Sequence, residues 1–133
     1  MKVNFRFPLF RLKKVITRRT SRLRVLPTSI EKEALRLHIE KRLAFFNRTY
    51  GFTYRRITIR NQRTRWGSAS RLGNLNFNYR MTLLPPHLSD YIIVHELCHL
   101  GAFNHSKKFW ELVARTIPDY RACRQQLRAI KVR

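Results

Sequence analysis

His95, Glu96 and His99 stand in the order H-E-x-x-H across residues 95–99. On a helix, residues four apart share one face. Two imidazoles at that spacing can hold one zinc ion at Zn–N distances of ~2.0–2.1 Å. Glu96 then lies beside the metal, placed to take a proton from a zinc-bound water. The chemistry is hydrolytic, because zinc lowers the pKa of its water from about 15.7 to roughly 7. A catalytic site keeps one coordination position open and wants three protein ligands. His105 is the candidate third ligand. On an unbroken helix it would lie roughly 9 Å beyond His99 along the axis and point away. The chain must therefore turn between them, and Gly101 stands where a helix C-cap glycine would. Ser106 follows as an N-cap candidate for a new helix.

The elements around the motif can be read from periodicity. Residues 90–100 carry Tyr91, Ile92, Ile93, Val94, Leu97, Cys98 and Leu100, a helix apolar nearly all round and so central and buried. Ser89 is its expected N-cap, with Asp90 suiting the helix dipole. Two histidines and a glutamate on such a helix would be costly to bury without a partner, and a metal supplies one. Upstream, Thr28 and Glu31 form a capping-box pattern. Leu35, Ile39, Leu43, Phe46 and Tyr50 then recur at helical spacing, and Gly51 is a natural stop. Residues 52–60 alternate as a half-buried strand. Leu75, Phe77, Tyr79 and Met81 alternate with Asn74, Asn76, Asn78 and Arg80 as a second strand, ended by Pro85 and Pro86. Helices are expected after Ser106 and from Tyr120 to about Ile130. Residues 1–27 hold nine basic side chains and no acid, and read as a basic arm or short strands ahead of a domain spanning 28–133.

A length of 133 residues with a hydrophobic fraction of 44% suits one domain with a real core. The 29 Lys and Arg against 7 Asp and Glu give a net charge of +22, a field that attracts polyanions. Two cysteines make no disulfide framework, and Cys98 and Cys123 read as reduced thiols. No apolar run approaches the ~20 residues of a membrane span. The Phe7–Phe10 patch is followed by no small-residue cleavage site, so a cytoplasmic location is the expectation. Residues 1–25 also share the Arg-rich, acid-free composition of transit peptides.

Other candidate ligands are weaker. Cys98 points off the His95–His99 face, His38 lies among charged residues of the first helix, and His87 follows Pro86. Glu111 and Asp119 are conceivable hydrogen-bond acceptors for ligand imidazoles. The Met-turn subclass of zinc peptidases has glycine where Ala102 stands and a later methionine, and neither is present.

RWGSAS at 65–70, GNLNFNYRM at 73–81, LPP at 84–86, DYIIVHELCHL at 90–100, NHSKKFW at 104–110 and PDY at 118–120 together resemble the YgjP-like metallopeptidase-domain family. Those proteins are relatives of SprT-like and other zincin-type hydrolases. The resemblance covers roughly residues 28–130. It implies an α+β, minimal zincin-like fold, with a small mostly antiparallel sheet packed on an active-site helix and flanking helices. It implies one zinc per chain on His95, His99 and His105, with Glu96 as general base. It also implies an extended peptide or protein substrate added to a sheet edge, which by position would be the strand with Asn74, Asn76, Asn78 and Arg80. Asn76, Asn78, Arg80, Tyr79 and Tyr120 are the corresponding substrate-binding candidates, with Arg80, Tyr79 or Tyr120 available to an oxyanion. Family members commonly have Cys where Ala69 stands, and a longer β-rich N-terminal portion.

The first expectation is a zinc metallopeptidase acting as a monomer. A second is a zinc hydrolase of nucleotide phosphoanhydride bonds, which the charge would suit but for the lack of a Gly-rich phosphate loop. A third is a DNA-associated SprT-like protease or a nucleic-acid-binding module, using Arg63, Arg65, Trp66 and Arg71 as a basic-aromatic patch.

Overall fold

Thr28 opens the first helix as its spacing predicts. Its hydroxyl accepts from the Glu31 N–H at 3.2 Å, and the Thr28 N–H donates to Glu31 Oε2 at 2.8 Å. The structure, a computed structural model, describes residues 26–132; the basic arm lies almost wholly outside the described residues. Helix α1, Ser29–Tyr50, buries Leu35, Ile39, Leu43 and Phe46 and ends at Gly51, whose φ of 68° is left-handed. Strands β1 (Arg56–Arg60), β2 (Gly67–Ala69) and β3 (Asn74–Asn78) follow. A short 3₁₀ turn, Tyr79–Leu83, leads to α2 (Pro86–Cys98), α3 (Lys107–Ala114) and α4 (Tyr120–Arg128).

The fold is α+β, but its sheet is mixed. The order is β1-β3-β2, with β1 parallel to β3 over five residue pairs and β2 antiparallel to β3 over three. Two expectations change with this order. The sheet is not mostly antiparallel, because β3 inserts beside β1 rather than returning along it. The strand carrying Asn74, Asn76 and Asn78 is the central one, paired on both sides, so it has no edge to offer a substrate. Its clean alternation also stops early. After Asn78 the chain turns, because the Asn78 side chain accepts from the Arg80 N–H at 3.0 Å and caps the 3₁₀ turn. Tyr79 and Arg80 therefore leave the strand.

Helix α2 is the centre of the molecule, with Leu88, Tyr91, Ile92, Ile93, Val94, Leu97 and Cys98 all buried. It starts at Pro86, not after Ser89; proline at the first helical position costs no hydrogen bond, and Ser89 is buried inside the helix. Asp90, read as a helix-dipole residue, instead accepts two 2.9 Å bonds from Arg42 and clamps α1 to α2. Cys98 and Cys123 are free and buried, and burial pushes the Cys98 thiol up to about 12, which keeps it inert. Among the described residues, no helix is long and apolar enough to cross a membrane.

Candidate metal centre

The last turn of α2 carries the motif. His95 is in the helix and His99 is its C-cap, with the His99 N–H still donating to the His95 carbonyl at 3.3 Å. One helical turn therefore sets both rings on one side. The chain then reverses through residues 100–104 to bring His105 back. Gly101 makes this possible by size and not by a left-handed φ, since only Gly51 and Gly73 have positive φ among the described residues. A Cβ at Gly101 would stand 2.5 Å from Phe52 Cζ and 3.0 Å from Leu112 Cδ1. Phe52 is itself fixed by Asn47, whose side chain accepts from the Phe52 N–H at 2.8 Å and donates to its carbonyl at 2.7 Å, and by stacking on Tyr50 at 5.5 Å. The end of α1 thus holds the turn between the second and third histidines. Ser106 takes the N-cap place of α3 without a side-chain cap bond.

The three rings converge. His99 Nε2 lies 3.1 Å from His95 Nε2, and His105 Nε2 lies 3.2 Å from it. Those spacings are close to the ~3.3 Å edge of a tetrahedron of nitrogens bound to zinc at ~2.05 Å. His99 Nδ1 donates to the Ala102 carbonyl at 3.1 Å, which leaves its Nε2 lone pair facing the other rings. The Tyr91 hydroxyl, one turn before His95, sits 3.3 Å from His95 Nδ1. Burial first, then the neighbouring histidines and Arg124, push the His95 pKa down to about 3, so its imidazole is neutral and able to ligate. Three imidazole nitrogens converging on one point form a donor set that could hold a metal ion. Phe109 packs against all three rings, and Trp110 lies parallel to His105 with centroids 5.7 Å apart.

Glu96, the residue after His95, packs against β2 at Gly67. It is only 6% exposed, and burial raises its pKa to about 8 against the opposing charge of Arg65. A bound divalent cation would draw it back toward the ionised form. Gly67 on β2 makes the room: a Cβ there would lie 2.8 Å from Glu96 Cγ and 3.0 Å from its Oε1. Sequence reasoning missed Gly67, Tyr91 and Ala102. Tyr91 was reachable, since it stands four residues before His95, whereas Gly67 and Ala102 are revealed only by packing.

The remaining candidates fall elsewhere. Asn78 is fully buried and donates to the Gln62 and Arg65 carbonyls at 2.7 and 2.9 Å, holding the loop before β2. Asn76 donates to Ser68 Oγ at 3.1 Å and accepts from Arg60 at 2.9 Å. Arg80 binds Asn61 and Gln62 and lies over the Tyr79 ring. Tyr120 stacks on Trp110 at 5.0 Å, one ring away from His105. Glu111 is exposed and faces Lys107 at 3.9 Å, and His87 meets Gln126 at 2.7 Å, so neither supports a ligand. Arg71 lies over the Phe103 ring, and Trp66 is partly buried against the core.

A family model for the YgjP-like metallopeptidase domain matches residues 11–130. The chain belongs to the YgjP-like family. Among solved structures, this YgjP-like chain is similar to the metallopeptidase zymogen of Pyrococcus abyssi abylysin. The TM-score is 0.62 and the identity 23%, over 67% of this chain and 90% of that one. At that identity the likeness speaks for the fold. A comparison with curated proteins gave no match.

Proposed function

We propose that this protein is a zinc-dependent peptidase, with His95, His99 and His105 as ligands and Glu96 as general base. One observation carries the reading: three imidazole nitrogens meet at the end of α2 while the next side chain along is a buried carboxylate lying beneath an edge strand. Zinc held there supplies a Lewis acid that polarises a carbonyl and acidifies water. Glu96 accepts a proton from the attacking water as its oxygen bonds to the carbonyl carbon. It then delivers that proton to the leaving nitrogen as the C–N bond breaks. Its apolar surroundings make it a stronger base than a solvated carboxylate. Among the described residues, β2 has no strand on its outer side, and its free N–H and C=O groups suit an extended peptide. That edge favours a peptide over a nucleotide. Of the five substrate-binding candidates, Tyr120 belongs to the ring stack that reaches His105.

Chelation is expected to abolish peptide cleavage, and stoichiometric zinc, but not magnesium, to restore it. Cleavage that survives complete metal removal would sink the reading. Gly67→Ala tests the placement of Glu96. A shift of about 1 Å in a catalytic group costs on the order of a hundredfold in rate, and kcat/KM should fall by about that much while zinc content holds. Unchanged turnover would mean that Glu96 is not where the chemistry occurs.

A further inference from the structure

A cleft of about 280 Å³ adjoins the triad, lined by Trp66, Tyr91, Leu127, Arg124 and Arg128 among others. It lies one side chain from the ligands. The Tyr91 hydroxyl is 3.3 Å from His95 Nδ1, and Arg124 sits 4.4 Å over the face of Trp110, which itself lies against His105. The cleft therefore lies beside the His95 ring, on its Nδ1 side.

Among the described residues, its two arginines pair with no carboxylate side chain. The chain contains seven acids, and all seven lie within the described residues. Glu31 caps α1, Glu33 and Glu40 take Arg36, Asp90 takes Arg42, and Glu111 faces Lys107. Glu96 is the buried base, and Asp119 precedes α4 without an ion pair. Stacking on Trp110 orders the Arg124 guanidinium and leaves its N–H edge for a planar, two-toothed partner. The charges of both Arg124 and Arg128 reach Tyr91 in the lining.

We propose that Arg124 and Arg128 make this cleft a carboxylate-reading specificity pocket, selecting substrates with an acidic group beside the bond that is cut. The inference rests on the peptidase reading. The carboxylate is either an Asp or Glu side chain or the free end of the substrate chain.

The test uses the full zinc-loaded chain and paired peptides. One set is internal and amidated, with Glu or Gln flanking the scissile bond; the other ends there as a free acid or an amide. A charge-assisted hydrogen bond is worth about tenfold or more, so the acid member of a pair should show kcat/KM at least about tenfold higher. The set that responds identifies the source of the carboxylate. Arg124→Gln and Arg128→Gln should each lose most of the ratio, whereas Arg48→Gln on α1 should keep it. That control separates a built pocket from the diffuse +22 field. Cleavage without acid preference, or a preference lost equally in Arg48→Gln, overturns the pocket and leaves the peptidase reading standing. Arg128 is exposed, so its variant serves if Arg124→Gln fails to fold. Binding of the same peptides to zinc-loaded Glu96→Gln, followed by the fluorescence of Trp66 and Trp110, needs no turnover. Acid-selective binding lost in Arg128→Gln, with no peptide cut by the wild type, keeps the pocket and removes the peptidase. Equal binding of acid and amide removes the pocket.

Discussion

His105→Ala should purify without metal, while the wild-type chain holds stoichiometric zinc. Four-ligand zinc sites bind with about 10–16 kcal/mol, so one ligand carries on the order of 3 kcal/mol, or roughly a hundredfold in affinity. Two histidines one helical turn apart remain after the substitution, and they retain only weak binding. His105 is exposed and precedes α3, whose anchors Phe109 and Val113 are untouched, so far-ultraviolet circular dichroism should not change. Elemental analysis alongside the spectrum separates loss of a ligand from loss of fold. Full zinc occupancy in His105→Ala would remove it from the ligand set and leave the third position to another group.

Glu96→Gln should do the reverse, keeping zinc and losing turnover. General acid–base catalysis contributes about 10²–10⁴-fold, and kcat/KM should fall within that range. Activity within a few-fold of wild type would transfer the base role elsewhere. The same substitution has a stability signature in the metal-free protein. Burial raises the Glu96 pKa from 4.5 to about 8, so the folded state binds more protons than the unfolded state between those values. Stability due to this group therefore falls as pH rises through that window. His95 acts oppositely. Its pKa drops from 6.5 to about 3, so its contribution grows with pH up to about 6.5 and is lost as pH falls toward 3. Denaturation of wild type and Glu96→Gln from pH 4 to 9 isolates the glutamate. The variant should lack the decline on the alkaline side, and parallel curves would show that Glu96 is not desolvated.

The local grammar of the chain determined much of this. The capping box at Thr28, the apolar stripe of α1 and the all-apolar α2 fixed the helices, because those signals are written at neighbouring positions. The spacing of His95 and His99 needed only a helical turn to become a shared face. The chain does turn back to bring His105 beside His95, but not through a left-handed glycine cap. Gly101 is required by the approach of Phe52, a residue 49 positions earlier, and not by its own backbone angle. Tertiary structure alone decided strand order. β3 inserts between β1 and β2, which leaves β1 and β2 as the outer strands among the described residues and turns the asparagines of β3 toward neighbouring strands and loops. A period of two reports the faces of a strand but never its neighbours. Tertiary structure also brought Gly67 over Glu96, the Ala102 carbonyl to His99 and two arginines of α4 to the cleft beside His95. Each of these contacts joins residues whose relation depends on how the chain packs between them, and no local pattern records it.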